Sequence, residues 1–187
     1  MKLKIIKFKR VKSTNEKAIK FIQKLRCTSG LITSDIQTKG RGTMGKKWIS
    51  KKGNIFISIF FRVSFSKFKI ENFLMINAKI IKKVLERYTK KIITIKKPND
   101  ILIEKKKICG ILQEVIVCNN EKYLITGIGI NTLIAPNNKK LFSTCLADHT
   151  KKKIKNLEII KRIKKTYEKM IYDLNNNNFT YVQNKYI

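Results

Sequence analysis

The sequence predicts an α+β fold, a mixed and largely antiparallel sheet with helices packed on it. Three observations lead there. Residues 92–96, 100–104, 107–118 and 122–130 read as four strand-length apolar runs. The turns between them are short, and strands joined so tightly run antiparallel. Three further segments carry apolar residues at helical spacing, and no internal repeat or second domain interrupts the series.

In chain order, a first strand covers residues 3–11. Ser-Thr-Asn-Glu at 13–16 is a capping-box pattern, in which the first side chain accepts a backbone N–H three residues on. It starts a helix with Ala18, Ile22 and Leu25 on one face and Ile19 and Phe21 beside them. A second strand, 30–36, leads into a glycine-rich loop. Residues 54–62, rich in Ile and Phe, read as a buried strand. A helix over 71–88 aligns Leu74, Ala78, Ile81, Leu85 and Tyr88. Glu104-Lys-Lys and Asn119-Asn-Glu supply turns between the later strands. A last helix over 156–173 aligns Leu157, Ile160, Ile163, Tyr167, Ile171 and Leu174, and the asparagine tract 175–178 reads as a linker or fray.

A chain of 187 residues with 43% hydrophobic content fits one domain and can bury a sizeable core. The formal net charge of +31 is of the kind that marks binders of nucleic acid or anionic membranes. Here 37 lysines against 6 arginines are scattered over every segment, which reads as a broad compositional bias. Base-specific readers carry arginine and a recognisable helical module; neither stands out, so no specific nucleic-acid partner is expected. Cys27, Cys109, Cys118 and Cys145 form no CxxC pair, and His149 is the only histidine. That argues against a zinc site and against a disulfide scaffold, and reduced thiols in a cytoplasm fit best. No segment reaches membrane-span length, the start lacks the apolar core of a signal peptide, and no membrane partner is expected.

Four motifs carry chemistry. Residues 37–48 read Gln-Thr-Lys-Gly-Arg-Gly-Thr-Met-Gly-Lys-Lys-Trp, with three glycines, one arginine and the only tryptophan. Glycines let backbone approach a ligand, cations suit carboxylate or phosphate, and an indole can cover a flat ring. Residues 96–114 run from Lys-Lys-Pro-Asn-Asp to Lys-Ile-Cys-Gly-Ile-Leu-Gln-Glu. Gly-Ile-Gly-Ile-Asn stands at 127–131, and Ser-Thr-Asn at 13–15 opens the first helix. In this order the four resemble the catalytic domain of biotin protein ligases, whose patterns are S-T-N, G-R-G-R-x-G-R-x-W, K-W-P-N-D followed by R-K-x-x-G-I-L, and G-x-G-I-N. The resemblance runs from about residue 5 to about residue 175.

The resemblance implies the biotin and lipoate ligase fold, like that of class II aminoacyl-tRNA synthetases. It implies ATP and Mg²⁺ with biotin as substrate, and a biotin carboxyl carrier protein as acceptor. Residues 1–175 correspond to the catalytic domain and 176–187 to a short tail. The family's C-terminal β-barrel and N-terminal DNA-binding helix-turn-helix are expected to be absent, and the oligomeric state stays open, a homodimer included. In the family reaction the biotin carboxylate attacks the α-phosphate of ATP, and a carrier lysine then attacks the acyl carbon. That chemistry needs oriented anions and excluded water rather than a protein nucleophile.

Residue by residue, the resemblance makes Lys107 the ammonium that bridges acyl carboxylate and phosphate, with Lys105 and Lys106 a solvated turn. Arg41 orders the loop, Gly40 and Gly42 wrap the biotin carboxylate, and Gln37 hydrogen-bonds at the same site. Ser13, Thr14 and Asn15 hold the ureido head of biotin, a role compatible with capping the helix. Thr43 and Gly110 complete the biotin set. Trp48 covers the adenine, either that or packs in the core, while Lys46, Asn99 and Asn131 contact the nucleotide. Asp100 contacts the adenylate or a Mg²⁺. Cys109 reads as a small packing residue.

Thr43 and Lys46 stand where the family carries arginines, and Lys97 where it carries tryptophan. These departures put adenylate retention and activity in question. Two alternatives remain. A lipoate or octanoate ligase shares the fold, but its loop signatures and following histidine are missing. A basic nucleic-acid-binding module would show a charge stripe with interleaved aromatics.

Overall fold

The computed structural model describes residues 1–25, 27–63, 70–137, 141–176 and 179–186, the side chains of residues 25, 70, 71 and 179 aside. The expected core position of Leu25 and part of the asparagine tract, Asn177 and Asn178, lie outside the described residues.

Strand β1 (Ile5–Val11) leads through helix α1 (Thr14–Leu25) to β2 (Ser29–Gln37), and a long loop joins β2 to β3 (Ile55–Val63). Helix α2 (Ile70–Leu85) precedes β4 (Ile93–Lys96), β5 (Asp100–Ile103), β6 (Lys106–Cys118) and β7 (Glu121–Ile130). Helices α3 (Asn156–Asn176) and α4 (Phe179–Tyr186) close the chain. The seven strands form one sheet in the order β1-β2-β3-β7-β6-β5-β4. Only β1 and β2 pair in parallel; that pairing needs a crossover, which α1 supplies. The mixed, mostly antiparallel sheet agrees with the expectation.

The two faces of the sheet carry different layers. On β3, Ile55, Ile57, Ile59 and Phe61 join the larger core with α2 and α3, whereas Phe60 faces the other way. There Ala18 and Ile22 of α1 pack on Ile32, Phe60, Tyr123 and Ile125. A buried polar network ties α3 to the sheet through α2. Tyr167 Oη donates to Asn77 Oδ1 at 2.8 Å, and Asn77 Nδ2 donates to Gln113 at 2.9 Å and Thr126 at 3.3 Å.

Two helix expectations are corrected. Leu157 is 57% exposed, and Ile159 and Met170 fill the core of α3 instead. The tail contains α4, whose Val182 is fully buried. Both expected turns hold: Glu104 and Lys105, then Asn119 and Asn120, all have φ between 48° and 63°, the mirror-image turn conformation that matches strand twist in two-residue hairpins.

Candidate active site

The glycine-rich loop closes on itself as a small tongue. Trp48 N donates to Gly40 O at 2.9 Å and Gly42 N to Lys46 O at 2.7 Å, with a short 3₁₀ turn at Thr43–Gly45 forming the tip. A Cβ at Gly40 would lie 2.5 Å from the Trp48 carbonyl, so only glycine lets the two arms meet. At the tip Met44 and Gly45 have φ of 53° and 71°, and Met44 is 93% exposed. The tongue lies over the α1 side of the sheet. Trp48 rests there on Gly110 and Gly129, which are cross-strand partners on β6 and β7. A Cβ at Gly110 would fall 2.7 Å from the indole, and one at Gly129 would overlap it. The two glycines make a flat floor for an aromatic ring.

Lys107 reaches this floor because of an irregularity in β6. Strict alternation puts Gly110, Leu112 and Glu114 on the pocket side, which would send Lys107 to the opposite side. Between Lys107 and Cys109 the pairing with β5 skips Ile108. One extra residue reverses the facing of everything before it. Ile108 and Cys109 both enter the core, and the Lys107 ammonium stands 5.4 Å from the Trp48 ring centroid. Its backbone is pinned on the outer side by Phe142 O at 2.7 Å and Thr144 N at 3.0 Å. Asp100 Oδ1 lies 2.6 Å from Lys107 Nζ. Burial pushes the Cys109 thiol far up, so it packs rather than attacks.

A chain of polar contacts lines the other end. Thr14 N donates to Gln37 Oε1 at 2.8 Å, and Gln37 Nε2 to Ser50 Oγ at 3.1 Å. Thr14 Oγ1 is 2.7 Å from Ser58 Oγ, which also contacts Asn15 Oδ1. Asn15 Nδ2 donates to Glu114 Oε2 at 2.7 Å, and Arg41 Nη2 to Glu114 Oε1 at 2.5 Å. Ser13 Oγ caps α1 through a long, 3.5 Å contact with Glu16 N. Gly127 leaves room for Asn15, which a Cβ there would overlap.

One pocket of about 430 Å³, its mouth included, gathers Ser13, Thr14, Asn15, Gln37, Arg41, Gly42, Thr43, Trp48, Asn99, Lys107 and Gly110 from the expected set. Four expected residues do not line it. Gly40 shapes the tongue from behind, Lys46 sits exposed on its outer arm, and Asp100 touches Lys107. Asn131 instead donates to Thr144 O at 3.2 Å, holding the segment that pins Lys107. Asn99 is similarly spent on Ile111, through Nδ2 to its carbonyl at 2.9 Å. Sequence reasoning missed Ser58 and Glu114. Ser58 carried a signal as the one hydroxyl in the apolar run of β3. Glu114 closed the 96–114 motif, but its role comes from the two partners that the fold brings to it.

The sheet, the tongue and this pocket define a class, and the sequence comparison agrees with them. The chain belongs to the biotin/lipoate A/B protein ligase family, whose model matches residues 7–131. It is 33% identical over 156 residues to the bifunctional ligase/repressor BirA of Bacillus subtilis (strain 168), covering 80% of this chain and 48% of that protein. The chain thus spans about half the length of the curated relatives it matches. Among solved structures it resembles the biotin protein ligase from Aquifex aeolicus in complex with biotin and ATP. The TM-score is 0.77 at 28% identity, covering 94% of this chain and 73% of that one. A bi-partite lipoate protein ligase from Thermoplasma acidophilum shares the fold alone, with a TM-score of 0.64 at 9% identity, covering 92% and 84% of the two chains.

Proposed function

We propose that this chain activates biotin with ATP and transfers the biotinyl group to a lysine of a biotin carboxyl carrier protein. One observation carries the reading: a single pocket holds a hydroxyl-and-amide cluster at one end and Lys107, under a cationic tongue, at the other. The cluster suits a urea, which offers one acceptor and two N–H donors. A lipoyl dithiolane or an octanoyl tail offers neither. It would leave the remaining hydrogen-bonding capacity of Ser13 and Thr14, each under 5% exposed, facing apolar atoms, at a cost of about 1–3 kcal/mol per group. The biotin and ATP of the Aquifex aeolicus complex fit the same pattern.

In the first step a carboxylate oxygen of biotin forms a bond to the α-phosphorus. The bond from that phosphorus to the bridging oxygen breaks, and pyrophosphate leaves. Lys107 lowers the repulsion between the two anions and neutralises charge as it develops. Asp100 orients that ammonium. Gly42 and Arg41 bring the tongue over the carboxylate and exclude water. Trp48 supplies the aromatic face for adenine, and Asn99 and Asn131 brace the strand ends around it. In the second step the neutral carrier amine attacks the acyl carbon, the C–O bond to AMP breaks, and the amine proton is lost to solvent.

No described group of three or more His, Cys, Asp or Glu side chains could cage a metal. Mg²⁺ needs no such cage, because it takes one or two carboxylates and completes its shell with water and phosphate oxygens. The donor set therefore fits an ion that accompanies ATP, with Asp100 as its protein ligand. Bound there, Mg²⁺ would neutralise phosphate charge. A cytoplasmic setting belongs to the same proposal, consistent with four free cysteines. No described helix is long and apolar enough to cross a membrane.

The test is pyrophosphate release with ATP and biotin, lipoate or octanoate in turn. Release with biotin alone is expected; release with lipoate and not biotin overturns the reading.

A further inference from the structure

Glu114 ends the 96–114 segment with no reacting role there, yet both halves of the ligand site end on it. We infer that Glu114 is a positioning residue that fixes the proton direction of the urea-reading cluster and holds the tongue by the same carboxylate. This rests on the proposed reaction with biotin.

The proton directions follow from what each atom can do. An ionised carboxylate only accepts, so Glu114 draws Asn15 Nδ2 towards itself at 2.7 Å. That choice turns Asn15 Oδ1 towards Ser58. An amide oxygen has no proton, so the single Ser58 hydroxyl proton goes to Asn15. Ser58 Oγ is then free to accept, and Thr14 Oγ1 donates to it at 2.7 Å. Thr14 Oγ1 also lies 3.1 Å from Gln37 Oε1, and the shorter contact with Ser58 takes the larger share of its proton. With its proton spent, Thr14 turns lone pairs to the pocket and reads an N–H. Ser13 Oγ accepts the Glu16 amide, so its proton points outward and reads a carbonyl. The pattern is that of a urea, and it is set from Glu114.

The other carboxylate oxygen takes Arg41 at 2.5 Å. Arg41 is 46% exposed in its side chain and Glu114 21%, so this contact anchors a tongue that otherwise touches the sheet through Trp48. Glutamine at position 114 keeps the shape but removes both functions. Its amide can face Asn15 with either end, so Asn15 Nδ2 keeps only the longer 3.4 Å contact with Leu112 O to fix its direction, and the guanidinium loses its anion.

The experiment compares wild type, Glu114→Gln and Arg41→Ala, each shown to melt cooperatively. Trp48 is the only tryptophan, so acrylamide quenching of its fluorescence reports tongue order without any substrate. Quenching at least twofold stronger in both variants is expected. For Glu114→Gln the KM for biotin should also rise about tenfold, a larger rise than in the KM for ATP, which depends on the tongue through Trp48 but not on the hydroxyl cluster. Arg41→Ala keeps the Asn15 contact and should show the quenching change with a smaller rise in KM. If Glu114→Gln leaves either quenching or the biotin KM within twofold of wild type, the inference is overturned. A wild-type chain that releases no pyrophosphate with biotin would instead remove the proposed function, and the quenching comparison would still decide whether Glu114 holds the tongue.

Discussion

At the scale of single residues, Lys107 and Lys105 offer a controlled comparison. They are two positions apart in one lysine run, but only Lys107 sits at the register break and meets the pocket. Lys107→Ala should slow adenylate formation by about a hundredfold or more, the scale for losing one charge-stabilising group. Lys105→Ala should change it by less than twofold; equal effects in a pyrophosphate assay would deny Lys107 a special place. Thr43 supports a second expectation. It lines the pocket at the tip of the tongue and offers one short hydroxyl where the family pattern has a guanidinium. A charged hydrogen bond there contributes about 1.5–3 kcal/mol. Thr43→Arg should therefore slow the escape of labelled biotinyl-adenylate by roughly tenfold to a hundredfold. Dissociation rates within twofold would mean that other groups already close the tongue. Most of this pocket was legible in the sequence, because the motif residues are local and their spacing is fixed: all sixteen lining residues stood in the four motifs, and eleven of them were expected at the site. What escaped depends on tertiary pairing. Glu114 matters through Asn15, 99 positions away, and Arg41, 73 away. Asn131 followed its motif but turned to Thr144, since a buried amide is satisfied by whichever carbonyl the fold presents.

At the scale of elements, the strands were legible because their apolar runs and turns are strong local signals. The reversal at Ile108 was not. Ile108 and Cys109 are both apolar, so no polar residue marked the extra position. Helix α4 was hidden for another reason. Among the described side chains of its eight residues, Phe-Thr-Tyr-Val-Gln-Asn-Lys-Tyr, Val182 is the fully buried apolar one, and short helices draw their stability from docking rather than propensity. That docking runs through Asp173 of α3, which accepts from Lys185 at 2.8 Å and Tyr186 at 2.9 Å. Burial raises the Asp173 carboxyl, but the bonds from Lys185 and Tyr186 together outweigh it and hold it below its ordinary value. A carboxyl depressed in the folded state stabilises fully above its unfolded value, about 4. The stabilisation fades as pH falls through the lower folded value. On acidification below about pH 4 the amides of α4 should lose protection from hydrogen exchange before those of α3. Asp173→Asn should expose them at neutral pH. Unchanged protection in that variant would mean that apolar packing, Val182 and Tyr186 included, docks the helix without Asp173.

At the scale of the whole molecule, the sign of the electrostatic balance is set by counting. There are 43 lysines and arginines and 12 aspartates and glutamates, so even complete pairing leaves a net charge of +31. The described ion pairs are mostly at the surface, where each contributes about 0–1 kcal/mol. Repulsion among the surplus cations acts over the whole surface and opposes the compact state. One place where it gathers is a groove between α2, α3 and α4, whose lining includes Lys83, Arg87, Arg162, Lys165 and Lys169 with a single carboxylate, Glu86. Salt weakens attraction and repulsion alike, but with so few carboxylates the repulsion is the larger sum. The Debye length falls from about 30 Å at 0.01 M to about 10 Å at 0.1 M, shorter than much of the spacing between charges on opposite sides of a domain. Thermal stability should therefore rise across that range, by roughly 2–4 °C if relief of repulsion amounts to about 1 kcal/mol in a chain of this size. The same charge should attract polyanions without regard to sequence, with an affinity that drops steeply over the same salt range. Calorimetric melts in sodium chloride and in sodium acetate at equal ionic strength give the check. Equal upward shifts support dispersed repulsion. A downward shift would show that the ion pairs outweigh the surplus, and a rise seen with only one anion would place the effect in a specific binding site.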